Sequence, residues 1–355
     1  MKLTSTRTAA VAVVLLAVSG LATGCNRGSS TAAPAGSAGG QGAAKPAIGI
    51  DLPRADSDFW NSYAQYIKKD VTADGANTLP TSNSENDVTK LVANVQVFEN
   101  TGAKAIIMAP QDTGAIASTL DTLASKNIPV VSVDTRPDKG KVYMVVRADN
   151  RAYGLQACQF LGKTLSGKGK VAEFEGDLTS INGRDRSEAF ADCMKTDFPG
   201  ITVFPLVTNW DGAVASSKLQ TLLAQHPDLN GLYMQAGGVF LQPTLALLQQ
   251  KGLLKPVGTA GHIAIISNDG IPQEFDAIRK GQIDATISQP ADLYAKYALY
   301  YAEAAVAGKT FQAGPTDHQS TIITIPGGLE DQLPAPLVTK TNVDDPALWG
   351  NSVGK

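Results

Sequence analysis

The chain has 355 residues, of which 43% are hydrophobic and 18% are charged, and its formal net charge is −3. This length exceeds one ordinary hydrophobic core and predicts two domains, while the composition is typical of a globular protein. The slightly acidic balance gives no electrostatic reason to expect a nucleic-acid partner, so we expect none.

The N-terminal residues have the pattern of an export signal. Basic residues precede an apolar run over residues 9–18, which is too short to span a bilayer permanently. The run leads to LATGC, which resembles a bacterial lipobox, although Ala22 stands where leucine is usual. We therefore predict a signal peptide over residues 1–25, lipidation of Cys25 and a protein anchored outside the cytoplasmic membrane. The alternative is an ordinary secretory signal with an incidental cysteine.

Residues 26–45 are rich in Gly, Ala and Ser and have no periodicity, which predicts a flexible linker. Two further cysteines, Cys158 and Cys193, lie in helical patterns on either side of the same predicted strand. If Cys25 carries lipid, two cysteines are left, and in an exported protein an even number of remaining cysteines indicates a disulfide. We therefore predict that Cys158 and Cys193 are bonded. Two buried free thiols are the alternative.

Strand and helix patterns alternate from residue 47 onward. The first unit is an apolar strand at 48–52, a polar loop and a helix that begins around Phe59 and Trp60. Further strands are predicted at 77–81, 105–108, 129–133, 142–146, 170–174, 202–206, 231–234, 263–267, 285–287 and 321–325. Helices are predicted at 84–99, 116–126, 151–165, 184–196, 212–225, 239–251, 272–280 and 291–307. Such a series predicts two similar α/β halves with parallel sheets and a cleft for a small molecule between them.

Aromatic and acidic residues stand just beyond several predicted strands, where ligands of α/β folds collect. Phe59 and Trp60 follow the first strand, Trp210 lies in the turn TNWDG, and Asp134 and Asp269 end apolar strands. Aromatic rings cover the C–H faces of a sugar, and carboxylates accept hydrogen bonds from its hydroxyls, so the pattern favours a carbohydrate ligand. The alternatives are core positions for the aromatics and helix or turn caps for the acids.

No pattern of an enzyme is recognisable in the chain. The three histidines have no nucleophile or carboxylate at a recognisable spacing, and HExxH, CxxC and GxSxG are missing. We therefore expect a protein that is not an enzyme and that uses no metal and no cofactor.

Six segments occur in the order and spacing of periplasmic binding proteins of the ribose-binding type, the substrate-binding components of ABC sugar importers: DSDFW, VVSVDTR, GRDRSEAF, TNW, ISNDG and ISQP. The resemblance implies an α/β fold of two doubly wound parallel-sheet lobes joined by a three-segment hinge. Its crossovers are expected near residues 147–150, near 289–292 and shortly before the last strand, 321–325. The implied N-terminal lobe comprises residues 46–148 and about 290–318, the C-terminal lobe residues 149–289 and about 319–340, and the tail residues 341–355.

The resemblance also implies a set of ligand contacts, with aromatic rings on the faces of the sugar and polar groups on its hydroxyls. The implied ligand residues are Ser57, Phe59, Trp60, Asp134, Thr135, Arg136, Arg184, Trp210, Asp269 and Gln289. Ser57, Thr135 and Ala236 depart from the ribose-type pattern, which has Asn, Arg and Asn there, so ribose itself is not the expected ligand. Arg186 is expected to form a structural salt bridge, and the role of Gln235 is left open.

Together these features predict an extracytoplasmic solute-binding protein that closes two lobes around a monosaccharide or sugar alcohol. The expected partner is the permease of an ABC importer, and the protein is expected to be a monomer that contacts the membrane only through its lipid anchor. Two alternatives are a sensor partner that presents its ligand to a membrane receptor, and a binding protein for a non-carbohydrate small molecule.

Overall fold

The computed structural model describes residues 45–354. The predicted signal peptide, the lipidation site Cys25 and residues 26–44 of the predicted linker lie outside the described residues. In the described part of the chain, fourteen strands form two sheets, and nine α-helices accompany them. None of the described helices is long and apolar enough to cross a membrane.

The strands are β1 (Ile48–Leu52), β2 (Ser82–Asn83), β3 (Ala105–Met108), β4 (Val130–Val133), β5 (Met144–Ala148), β6 (Gly169–Glu175), β7 (Ile201–Val207), β8 (Gly231–Met234), β9 (Ala264–Asp269), β10 (Ala285–Ser288), β11 (Gly314–Pro315), β12 (Thr321–Ile325), β13 (Gly328–Leu333) and β14 (Leu337–Thr339). The helices are α1 (Asp58–Asp74), α2 (Val88–Thr101), α3 (Ala117–Ser125), α4 (Asn150–Thr164), α5 (Ile181–Asp197), α6 (Gly212–Gln225), α7 (Gly237–Gln250), α8 (Pro272–Arg279) and α9 (Ala291–Val306).

Each sheet defines one lobe. The first sheet has the order β11-β12-β13-β5-β4-β3-β1-β2 and is parallel except at β11 and β12. The second has the order β14-β10-β9-β8-β6-β7 and is parallel except at β14. Strands such as AIIM in β3 are fully buried, because parallel strands covered on both faces need continuous apolar runs. The architecture is therefore two doubly wound α/β lobes.

The chain passes from one sheet to the other at three places. It leaves the first sheet after β5, and α4 packs beside β9 of the second sheet. It returns after β10, because α9 packs against α1 and against strands of the first sheet. It crosses again between β13 and β14. These three connections form the hinge.

A disulfide fastens two neighbouring helices of the second lobe. Helices α4 and α5 lie side by side, and Cys158 and Cys193 are bonded across them with their Cα atoms 6.2 Å apart. Both cysteines are buried within the hydrophobic core. The two helices therefore lie on the same face of the sheet, which the sequence had left open.

The C-terminal segment differs from the expected lobe division. Strands β12 and β13 pair with β5 of the first sheet, so residues 319–333 do not belong to the second lobe, and the third crossover follows β13 instead of preceding β12. The strand pattern of β13 is hidden because its adjacent acids Glu330 and Asp331 are both fully buried. Asp331 Oδ2 accepts a hydrogen bond from Tyr301, and Glu330 lies 3.6 Å from Arg136. The expected tail is also structured, since Trp349 is buried and packs edge-on against Phe59, with ring centroids 6.1 Å apart.

Candidate functional site

A cavity lies where the carboxyl ends of strands from the two sheets face each other. It contains about 410 Å³ of space that no protein atom occupies, part of which is open to solvent. Its lining comes from both lobes and consists of Arg54, Ser57, Phe59, Trp60, Gln111, Asp134, Asn182, Arg186, Trp210, Ala236, Val239, Asp269 and Gln289. The structure thus brings seven predicted ligand residues together: Ser57, Phe59, Trp60, Asp134, Trp210, Asp269 and Gln289.

Aromatic rings from the two lobes are held rigidly at this cavity. Trp60 packs edge-on against Phe59, with ring centroids 5.4 Å apart and planes at 83°. Trp210 stacks on Phe240 at 6.4 Å and 19°, and a Cβ added to Gly176 would lie 2.0 Å from its ring. Because protein atoms already fix these rings, they offer apolar surface to a ligand without first having to be ordered.

Asp134 lines the cavity and has one carboxylate oxygen without a protein partner among the described residues. Its Oδ2 accepts a hydrogen bond from Asn182 Nδ2 at 2.8 Å, whereas its Oδ1 is buried and has no partner among the described residues. Burial raises the pKa of the Asp134 carboxyl, and the charges of Arg186 and Arg147 oppose that rise. Since an unpaired buried oxygen costs free energy, this atom is suited to accept a hydrogen bond from a ligand hydroxyl.

Asp269 is held by neighbours of its own lobe. Its Oδ2 accepts from the backbone N–H of Gly238 and its Oδ1 from Gln289 Nε2, both at 2.7 Å. Burial raises the pKa of the Asp269 carboxyl, and the charge of Arg186 opposes the shift. The backbone φ of Asp269 is 124°, a rarely adopted value, which the end of β9 imposes next to the cavity.

Arg186 takes the position at the cavity that the sequence had assigned to Arg184. Its guanidinium donates to Asn150 Oδ1 at 2.6 Å, to Gln289 Oε1 at 3.1 Å and to the carbonyl of Gln235. It also lies 5.7 Å from the centre of the Trp210 ring, a cation–π contact. The expectation of a structural salt bridge for Arg186 is wrong, since it pairs with amide and carbonyl oxygens and lines the cavity.

Arg184 lies at the lip of the cleft and does not line the cavity. It donates to Asp138 Oδ1 at 2.5 Å and to Thr113 Oγ1 at 3.3 Å in the first lobe, and to the carbonyl of Thr179 at 2.9 Å. Residues two apart on a helix point about 200° away from each other, so only one of Arg184 and Arg186 can face the ligand. Arg184 therefore joins the lobes and lies outside the lining of the cavity.

Thr135 and Arg136 also do not line the cavity. Thr135 is fully buried, and its Oγ1 donates to the carbonyl of Val133 at 3.5 Å. Arg136 lies 3.6 Å from Glu330 and 3.9 Å from Asp185, in a cluster of charges beside the hinge. The resemblance implied ligand contacts for both residues, but Thr135 is buried outside the cavity lining and Arg136, whose side chain is 27% exposed, lies beside the hinge acids.

Besides Arg186, five lining residues were not among the predicted ligand contacts: Arg54, Gln111, Asn182, Ala236 and Val239. Arg54 is paired with Asp56 at 2.6 Å and donates to the carbonyl of Trp210, across the cleft, at 3.0 Å. Most of the five follow the carboxyl end of a strand, which is the signal that could have found them. No group of three or more metal-binding side chains is arranged to hold an ion within residues 45–354.

Two α/β lobes with a polar and aromatic cavity between them define a two-lobed binding protein for a small molecule. The family model described as "Periplasmic binding protein domain" matches residues 48–310, so the chain belongs to the periplasmic binding protein family, whose members work outside the cytoplasm.

Similar proteins carry names that refer to sugars and polyols. The ribose import binding protein RbsB of Escherichia coli is 26% identical over 273 residues, which cover 76% of this chain and 88% of that protein. The xylitol-binding protein of Mycolicibacterium smegmatis is 25% identical over 265 residues, which cover 74% of this chain and 69% of that protein. A crystal structure of an ABC transporter solute-binding protein from Mycobacterium smegmatis with bound glycerol has the same fold, with a TM-score of 0.73, 23% identity and coverage of 88% and 98%.

Proposed function

We propose that the protein captures a neutral monosaccharide or sugar alcohol between its two lobes and delivers it to the permease of an ABC importer. The observation that carries this proposal is Asp134 Oδ1, a buried acceptor without a protein partner, next to aromatic rings from both lobes. A polyhydroxylated ligand supplies the missing donor and has apolar C–H faces for the rings. The names of the ribose-, allose- and xylitol-binding relatives support this ligand class.

The charges at the cavity favour a neutral ligand. Asp134 and Asp269 both face it, and the guanidinium of Arg186 is already bonded to three oxygens of the protein. The other lining cation, Arg54, is neutralised by Asp56. A phosphorylated or carboxylated sugar would therefore meet two buried acids without a free cation, which costs several kcal/mol.

Contacts across the cleft support a mechanism in which ligand binding closes the lobes. Arg184 bonds to Asp138, and Arg54 bonds to the backbone of Trp210, in each case from one lobe to the other. A ligand held by both lobes shifts the population towards this conformation, because it makes all its contacts only there. The three hinge connections then divide the protein into two lobes. The first lobe comprises about residues 46–148 together with 291–333, and the second about residues 149–289 together with 337–340.

Cys25 is proposed to carry the lipid that holds the protein at the outer face of the cytoplasmic membrane, and the protein is proposed to act as a monomer. Residues 26–45 would then separate the anchor from the folded part. A Cys25→Ser variant should not incorporate a fatty-acid label and should leave the membrane fraction, whereas the unaltered chain should do both. Labelling of the variant to the same extent would contradict lipidation of Cys25.

A thermal-shift screen tests the ligand class. The panel contains D-ribose, D-allose, D-tagatose, xylitol, myo-inositol and ribose 5-phosphate, with amino acids and nucleosides for comparison. A ligand present at 100 times its dissociation constant adds about 2.7 kcal/mol of stability, so a neutral carbohydrate should raise the Tm clearly and the phosphate should not. Stabilisation only by amino acids or nucleosides would contradict the proposal, and an Asp134→Asn variant serves as the control for the site.

A further inference from the structure

Asn182 connects two first-lobe residues although it belongs to the second lobe. It stands in the first turn of α5, is 3% exposed and lines the cavity. Its Nδ2 donates to Asp134 Oδ2 at 2.8 Å, and its Oδ1 accepts from Arg147 Nη2 at 2.9 Å. We propose that Asn182 is a positioning residue for ligand binding, which fixes the Asp134 carboxylate so that Oδ1 accepts a hydroxyl of the ligand. This inference rests on the proposed function.

Arg147 determines which way the Asn182 amide points. A guanidinium has only donors, so the amide oxygen of Asn182 must face Arg147 and its NH₂ group must face Asp134. Arg147 is itself fixed, because it is 1% exposed and lies 3.3 Å from Asp185 and 3.8 Å from Glu330. A series of hydrogen bonds with fixed donors and acceptors therefore connects the buried charges at the hinge to the Asp134 carboxylate at the cavity.

The consequence is a defined role for each oxygen of Asp134. Oδ2 is occupied by the Asn182 amide, and Oδ1 remains the acceptor without a partner among the described residues. A ligand that places a hydroxyl at Oδ1 satisfies the carboxylate, whereas a ligand without one leaves a buried acceptor unpaired. A site of this kind rejects deoxy analogues more strongly than an apolar pocket rejects a change in shape.

Two substitutions separate positioning from simple packing. Asn182→Ala removes the donor to Asp134 and should weaken binding roughly tenfold to a hundredfold, since a hydrogen bond to a charged group is lost. Asn182→Asp gives a side chain of the same shape, whose hydrogen-bond donors and acceptors depend on whether the acid is protonated. The protonated acid has one O–H donor and one carbonyl acceptor, as the amide has, whereas the ionised acid has no donor and repels Asp134.

The expected pH dependence follows from the groups that face Asp134. These are the cations Arg147 and Arg186, the acid Asp269 and the phenols Tyr153 and Tyr294. All of them are present in the wild type and in both variants, and Asn182→Ala adds no titratable group, so its ratio of dissociation constants to wild type serves as the reference for their contribution. The ratio of Asn182→Asp to wild type should fall several-fold between pH 8 and pH 6, because acid restores the missing donor. The ratio for Asn182→Ala should not fall.

The measurement is titration calorimetry with D-ribose, xylitol and myo-inositol at both pH values. Arg184→Gln is the matched control, because Arg184 lies on the same helix and bonds across the cleft to Asp138 without contacting Asp134. Its ratio to wild type should be the same at both pH values, and melting curves verify that each variant is folded. Affinity of Asn182→Ala within twofold of wild type, or a flat ratio for Asn182→Asp, would overturn this inference alone. Failure of wild type to bind these three and the other neutral carbohydrates of the thermal-shift panel would overturn the proposed function, and this inference with it.

Discussion

Gly238 lies where helix α7 of the second lobe meets the start of helix α1 of the first lobe. A Cβ atom added at this position would lie 2.8 Å from Ser57 Oγ and 3.0 Å from Phe59 N, both in the first lobe, and 3.1 Å from Asp269 Oδ2. Contacts this short require the neighbouring atoms to move. Gly238→Ala is therefore expected to oppose the conformation in which the lobes meet and to leave the interior of each lobe intact.

The size of the effect follows from the cost of overpacking. Inserting a methyl group into a filled space costs about 1–3 kcal/mol, which corresponds to a roughly fivefold to 150-fold weaker affinity when the cost falls only on the bound state. Calorimetry with the carbohydrate found in the screen measures the affinity, and urea unfolding of the ligand-free protein measures stability. Gly114→Ala is the control, because its nearest neighbour would be 3.5 Å away. Unchanged affinity of Gly238→Ala, or an equal loss of ligand-free stability, would refute the reasoning.

Three further predictions concern single features of the structure. Trp210→Ala should weaken carbohydrate binding at least tenfold and lower the free energy of unfolding by roughly 3 kcal/mol, since Trp210 is 8% exposed and also packs in the core. Calorimetry measures the affinity and urea unfolding measures the stability. Unchanged affinity would remove Trp210 from the site. Burial opposes protonation of His262, but its hydrogen bond to Asp284 at 2.8 Å and the charge of that acid outweigh burial and raise its pKa. His262 therefore stabilises the fold below its unfolded-state pKa and loses this effect as the pH rises through its raised folded-state pKa. His262→Gln should consequently lower the free energy of unfolding more at pH 5.5 than at pH 8.5. An equal loss at the two pH values would contradict the raised pKa. Replacing both Cys158 and Cys193 with alanine should lower the free energy of unfolding by about 2–4 kcal/mol, because the bond closes a loop of 35 residues, and an unchanged urea midpoint would show that the bond does not form.

The sequence identified the parts of the site that lie next to strand ends. Asp134 and Asp269 were predictable because apolar strands that end in an acid place it at the ligand edge of a parallel sheet. Trp60 was predictable because aliphatic residues are more usual as core at a loop–helix junction, and Trp210 because it lies in a polar turn, although both rings also pack in the core. These features depend only on local patterns, and the structure places all four residues at one cavity.

Other features depend on contacts between distant segments and could not be found in this way. The choice between Arg184 and Arg186 depends on the phase of α5 to within one residue, which a sequence pattern does not fix. Asn182 matters only because the fold brings it between Asp134 and Arg147. The placement of β13 in the first sheet was missed for the same reason, since its acidic residues look exposed until their buried partners are known.

Hydrogen exchange with and without the carbohydrate identified in the screen tests the central claim most directly. Backbone amides open to exchange as local structure opens, so a ligand held between the lobes slows exchange wherever it joins them. The account predicts protection in loops of both lobes at once, around residues 54–60 of the first and 209–213 and 235–240 of the second. Protection confined to one lobe, or located away from the cavity while the carbohydrate is bound, would contradict it.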